Sequence, residues 1–222
     1  MLNEKKTAIT KTPSDAESHH LIGGALCLDF ANTLYGHGKT PLHEYLFSYR
    51  DLVLWSRHAG ILSDALATRL FHKAARFPND ALVVFHRAIA LRETIFRFFD
   101  AVAHHQAPQG SDLAALDSAR FEAISHTHVD RTAKGYTLDW NDKAALDLML
   151  WQIAVSAVEL MTSENLTRVR ECNGDTCDWL FVDTSRNHLR RWCSMSVCGN
   201  RAKVRSFVQR QRKRAARQLR HA

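Results

Sequence analysis

Four of the five cysteines are gathered in one short stretch near the C-terminal end. Cys172 and Cys177 have four residues between them, fifteen residues intervene, and Cys193 and Cys198 repeat the first spacing. Two close pairs on either side of a loop suit a tetrahedral ion such as zinc, because each pair spans one edge of the tetrahedron and the loop brings the second pair opposite. Buried free thiols and disulfides are the alternatives. The chain opens on a polar segment without the apolar stretch of a secretory signal, so a cytoplasmic, reducing environment is expected, where clustered cysteines bind metal more often than they pair. Gly174 permits a tight turn between the first two cysteines, and Trp179, Phe181 and Trp192 are available to cover an ion. The intervening DWLFVDTSRNHLRRW has the hydrophobicity of a short hairpin, and after Cys198 the apolar residues Val204, Phe207 and Val208 follow helical spacing. A knuckle, a hairpin, a second knuckle and a helix in that order make a treble-clef finger. Four sulfurs close the coordination shell, so a catalytic zinc is not expected. Cys27, alone in an apolar stretch, reads as a buried small side chain.

Charge marks out the same region. Residues 168–222 hold 14 Lys and Arg against 4 Asp and Glu, which leaves 16 basic against 19 acidic groups for the rest of the chain. The formal charge of +7 therefore belongs to the C-terminal quarter, the pattern of a surface that binds a polyanion. No apolar run reaches the roughly 18 residues of a membrane-spanning helix, so no membrane partner is expected.

Upstream, the periodicity is helical. Residues 21–34 form an apolar stretch that reads as a short strand or a buried helix entry. Residues 45–59 place Leu46, Tyr49, Leu52, Val53 and Trp55 on one helical face, with Gly60 as a C-cap. Ser63 caps the next helix and Pro78 ends it. A long helix is expected from Asn79 as N-cap to about His105, another from Ser111, and a last, mostly apolar helix from Asn141. Residues 126–140 alternate about Lys134-Gly135, which predicts a β-hairpin with His126 and His128 on one face. The fold class is thus mainly α: a flexible tail over residues 1–20, a helical domain with one hairpin over 21–165, and the finger with its basic helix over 166–222.

Catalytic motifs are missing. GHGKT, residues 36–40, has the end of a phosphate loop, but Thr33 stands where its earlier glycine is required, and the reading is rejected. No nucleophile is placed with its base, so an enzyme is not expected.

At CSMSVCGNR a family resemblance appears. Cys198-Gly199-Asn200-Arg201 is the sequence after which the CGNR zinc-finger family is named, and RRWCSMSVCGNRAKVRSF resembles that family's signature throughout. GGALCLDFANT and DLVLWSRHAGIL resemble stretches of the ABATE domain, which commonly precedes this finger. The resemblance implies a stress-induced bacterial transcription regulator in which Cys172, Cys177, Cys193 and Cys198 hold Zn2+, the finger binds DNA, and the N-terminal domain senses a small ligand.

On that basis Arg190, Arg191, Asn200, Arg201, Lys203 and Arg205 are the candidate DNA contacts, to phosphates rather than bases, with Asn200 equally readable as a cap. Asp29, Asn32, Thr33 and Arg92 are the candidate ligand residues, with capping the plainer role for Asp29 and Asn32. An interaction module for RNA or protein is the alternative function. Oligomeric state is left open by the sequence.

Overall fold

A computed structural model describes residues 15–37 and 43–218; residues 1–14 of the expected tail, Gly38, Lys39 and Thr40 of the rejected phosphate-loop motif, and the last four residues lie outside it. Among the described residues are seven α-helices and three two-stranded antiparallel ladders, so the chain is mainly α.

The apolar stretch after the paired glycines resolves as a short helix, α1 (Leu26–Ala31), which buries Cys27, Leu28, Phe30 and Ala31. The two-residue strands β1 (Leu34–Tyr35) and β2 (His43–Glu44) then pair. Helix α2 (Tyr49–His58) starts at a reciprocal cap: Ser48 accepts from the Asp51 amide, and Asp51 accepts from the Phe47 amide at 3.0 Å. It ends at Gly60, whose φ of +78° only glycine adopts without strain. Ser63 caps α3 (Asp64–Arg76) as expected.

Pro78 both stops α3 and occupies the first turn of α4 (Pro78–Ala103), where its missing N–H costs nothing. The N-cap of α4 is therefore Phe77 and not Asn79. Helix α5 (Gly110–Ser125) leads into the predicted hairpin, β3 (Thr127–Thr132) and β4 (Gly135–Trp140), in register from Thr127 opposite Trp140 to Thr132 opposite Gly135. His126 stacks on Trp151 while His128 bonds Asn141, so the two histidines do not form a pair.

The last helix of the domain, α6 (Leu148–Met161), begins later than its sequence pattern indicates. Asn141 is engaged with His128, and the carbonyls of Ala144 and Leu146 accept from Lys73 and Tyr49, which holds residues 142–147 in turns. Its side chains are buried on nearly every face and form the centre of the core, against α1, α4 and α5.

The finger follows without a break in the packing. Strand β5 (Val169–Glu171) pairs with β6 (Leu180–Val182), so the hairpin encloses the first cysteine pair. The expected hairpin between the two pairs is not what forms: most of the segment after Val182 turns back as a loop. Strand β6 serves two cores at once. Leu180 and Val182 belong to the main helical core, whereas Trp179 and Phe181 pack with the four cysteines. Alternate strand residues point to opposite faces, so one strand is a wall common to both.

Candidate metal centre and nucleic-acid interface

The cysteine spacings become geometry through three local devices. The amide of Cys177 donates to the carbonyl of Gly174 at 3.1 Å, closing the first knuckle, and Cys172 donates to Trp179 at 2.9 Å across the base of the hairpin. Gly174 is required by space: an added Cβ would stand 3.0 Å from Cys177 Cβ and 3.4 Å from Cys198 Sγ. A single irregular turn at residues 195–199 carries Cys198 directly into α7 (Asn200–Gln218), and the amide of Cys193 donates to Cys172 Sγ at 3.3 Å.

The result is a closed cluster. All four sulfurs are buried and lie within 4.8 Å of one another. Cys177 and Cys193 are 3.7 Å apart and Cys193 and Cys198 3.6 Å, far longer than a disulfide and close to the edge of about 3.8 Å that a tetrahedron of sulfurs takes around zinc. The cysteines are free. Their protonation also calls for a cation. Hydrogen bonds from Cys177 and Cys193 hold Cys172 far below the usual thiol range, the same contacts push Cys177 and Cys193 far above it, and burial raises Cys198. Four thiolates coexist here only when a metal ion compensates them, and binding it displaces protons.

Strand β6 and its approach tie this centre to the helical domain at alternate residues. Tyr35 Oη donates to Thr176 Oγ1 at 2.9 Å, Asp178 Oδ1 accepts from the Gly36 amide at 3.0 Å, and the Val182 amide donates to Gly23 at 2.8 Å. Between them Asn32 replaces a missing strand: its Nδ2 donates to the Leu180 carbonyl at 2.9 Å and its Oδ1 accepts from the Leu180 amide at 2.8 Å. The outer edge of β6 is thereby satisfied by a side chain and a glycine backbone.

The six candidate DNA residues separate into two groups. Arg190 folds back over Phe181, 4.2 Å from the ring, and donates to the carbonyls of Trp192 and Cys193, so it braces the second knuckle. Asn200 Nδ2 donates to the Ser196 carbonyl at 3.0 Å, and Arg205 pairs with Asp175 of the first knuckle. Arg191, Arg201 and Lys203 are exposed. Val204, Phe207 and Val208 are also exposed, so α7 is anchored by its first turns and otherwise stands clear of the described residues.

Two family models divide the chain in this same order. The ABATE model, described as "Putative stress-induced transcription regulator", matches residues 24–164, and the CGNR zinc finger model matches residues 168–211. The chain belongs to the ABATE family. No curated protein matches it. The two matched segments of this ABATE protein meet at residues 164–168, yet Val169, Leu180 and Val182 lie in the helical core, so the seam between the families is no seam in the packing.

Of the four candidate ligand residues of the ABATE domain, Thr33 and Arg92 come within reach of each other, and all four bond to the protein. Arg92, 2% exposed, grips both oxygens of Glu44 at 2.7 and 2.8 Å, reaches Glu93 at 2.9 Å, and lies 3.5 Å from Thr33 Oγ1. Thr33 donates to Phe30 at 2.7 Å and Asp29 accepts from Gly23 at 2.7 Å. From Arg92 the network runs on through Glu93 to His37, which also meets Asp178 at 3.2 Å. Burial opposes charge on both Glu93 and His37, but their ionic partners prevail and hold Glu93 below and His37 above its ordinary range. A half-exposed group, Asp100, His104 and Glu171, ties α4 to β5 in the same way.

Sequence periodicity gave no sign of His19, placed in the expected tail. It is 1% exposed, accepts from Trp55 Nε1 at 3.3 Å and bonds the Asn32 carbonyl at 3.1 Å, which buttresses the residue that holds β6. Burial lowers its pKa from 6.5 to about 4. Below 6.5 the unfolded chain gains a proton that the folded ring refuses, so this contribution to stability is lost as pH falls toward 4, by on the order of 3 kcal/mol. Burial raises Asp29 to about 6, and that group acts in the opposite sense over nearly the same window. His19→Gln is therefore expected to be less stable than wild type near neutrality and to recover relative to it on acidification. Denaturant titrations across that window check this; parallel pH profiles for the two proteins would contradict it.

Proposed function

We propose that this chain is a DNA-binding transcription regulator in which zinc, held by Cys172, Cys177, Cys193 and Cys198, fixes the base of a basic helix against a helical domain. The observation that carries the reading is the placement of charge on α7. At about 100° per residue, Arg201, Arg205 and Arg212 fall within roughly 40° of one another, while Lys203 and Arg210 lie on the opposite side. A helix lodged in a major groove lies between two phosphate backbones, and positive charge on both flanks suits that position. Arg191, exposed beside the second knuckle, extends the same surface.

In this reading the metal has a structural role: the four sulfurs fill its coordination shell and leave no position for substrate. The reading places it in the cytoplasm, with the DNA it binds; no helix among the described residues is long and apolar enough to cross a membrane. Recognition of RNA or protein is a second reading, favoured by Phe207, which is 56% exposed on the same helix and available for stacking.

The salt dependence of duplex binding tests the first reading. Each lost phosphate contact lowers the slope of log K against log salt by about 0.9. Arg201→Gln and Lys203→Gln are each expected to reduce the slope by about that amount, whatever the sequence of the duplex. Unchanged slopes, or tighter binding to single-stranded RNA than to duplex, would favour the second reading.

A further inference from the structure

Between its two basic flanks, α7 has two further sides, and they differ. At about 100° per residue, Ala202, Ser206 and Gln209 occupy one side, and Val204, Phe207, Val208 and Gln211 occupy the other within an arc of roughly 100°. The first side turns toward the finger: Ala202 is partly buried and lines a crevice with Gly174 and Asp175, where Arg205 pairs with Asp175. The second side therefore points away from the protein, and Val204, Phe207, Val208 and Gln211 are all exposed. An apolar ridge thus runs outward between Arg201, Arg205 and Arg212 on one flank and Lys203 and Arg210 on the other. A helix about 10 to 12 Å across fills a major groove about 12 Å wide, so with its flanks on the two phosphate backbones the ridge meets base edges. The chemistry of the ridge selects among base pairs. Valine and phenylalanine can touch the thymine 5-methyl group, and glutamine can bond N6 and N7 of adenine. The arginines and lysine, suited to guanine, stand on the flanks, and residues 200–222 contain no Asp or Glu to accept from cytosine. Val204 and Gln211 are about 10 Å apart along the axis, or about three base-pair steps.

We propose that the outward side of α7 reads A·T pairs, with Val204, Phe207 and Val208 against thymine methyl groups and Gln211 against adenine. This preference rests on the DNA-binding reading and is one that phosphate contacts cannot supply. An anionic membrane would also attract the flanks, but Gln211 in the middle of the ridge costs free energy among acyl chains and gains hydrogen bonds at a base edge.

Fluorescence anisotropy with the zinc-loaded full chain tests this on three short duplexes: alternating A·T, alternating A·U, in which each thymine loses only its methyl, and alternating G·C. Each contacted methyl that is removed should weaken binding about fourfold, so A·U is expected to bind about tenfold or more weakly than A·T, with the same salt slope. G·C should bind more weakly than A·T as well. The double variant Val204→Ala, Phe207→Ala should bring A·T and A·U within about threefold of each other and leave the slope unchanged; both positions are exposed, so the fold is not at stake. Replacing adenine by 7-deazaadenine, which removes N7, should weaken the wild type about fivefold and leave Gln211→Ala unaffected. An equal loss in both proteins would remove Gln211 from the site. Equal affinity for A·T and A·U with a normal salt slope, or G·C bound as tightly as A·T, overturns the readout and leaves the DNA-binding reading standing. No binding to any duplex removes both. Binding to phosphatidylserine vesicles that depends on Phe207, with A·T and A·U bound alike, assigns the ridge to a membrane and overturns the readout.

Discussion

Stripping the metal, or replacing Cys193 by serine, is expected to release α7 and abolish duplex binding while the helical domain stays folded. The finger's own buried cluster is little more than the four cysteines with Trp179 and Phe181, too few apolar groups to offset the ordering of residues 172–199. Its stability must come from metal–sulfur bonds, which in structural zinc sites contribute an apparent 10 to 16 kcal/mol or so at neutral pH. Loss should stop at β6, because Leu180 and Val182 are fastened in the other core. Metal analysis should give one zinc per chain for wild type and none for Cys193→Ser. Hydrogen exchange should accelerate from residue 183 onward and remain slow in α4 and α6. Acidification should reproduce the effect, since every thiolate must recover its proton as the ion leaves. A Cys193→Ser protein that keeps its zinc and its affinity for DNA would refute the centre described here.

Asn32→Ala is the second large effect expected. The substitution strips both partners from a buried backbone unit, leaving the N–H and C=O of Leu180 unpaired at a position that is 0% exposed. Each orphaned group costs about 1 to 3 kcal/mol, so a loss of roughly 2 to 5 kcal/mol is expected, apparent as a lower unfolding midpoint. Because Leu180 follows Cys177 by three residues, the same change should speed zinc release to a chelator. Asn32→Asp should do no better: its carboxylate can still accept from the Leu180 amide but faces the carbonyl without a proton and places a charge in a dry site. A variant that unfolds like wild type and holds zinc as long would show that the glycine backbone and Asp178 contacts suffice to seat β6.

Much of this was legible in residue order. Two equal cysteine spacings specify a tetrahedral site because both are properties of a few adjacent residues. Ser63, Gly60 and the alternation around Lys134-Gly135 likewise declare a cap, a stop and a hairpin through local geometry. Reading failed where a partner lies far along the chain. The strand expected between the cysteine pairs instead pairs across the first pair, since Val169, Leu180 and Val182 gain a larger core there. Arg190, indistinguishable in sequence from Arg191, is drawn onto Phe181 while its neighbour stays exposed.

Asn32 shows the division most plainly. In the chain it is a polar residue at the end of an apolar run, suited to a cap or a ligand; in the folded protein it fills the place of a strand beside a residue 148 positions away. Sequence by itself settled which atoms can hold a metal and where positive charge accumulates, because ligand chemistry and charge belong to individual residues. Tertiary structure alone decided that finger and helical domain share one wall. Hydrogen bonding and apolar burial between distant segments depend on which surfaces meet, and no local pattern encodes that.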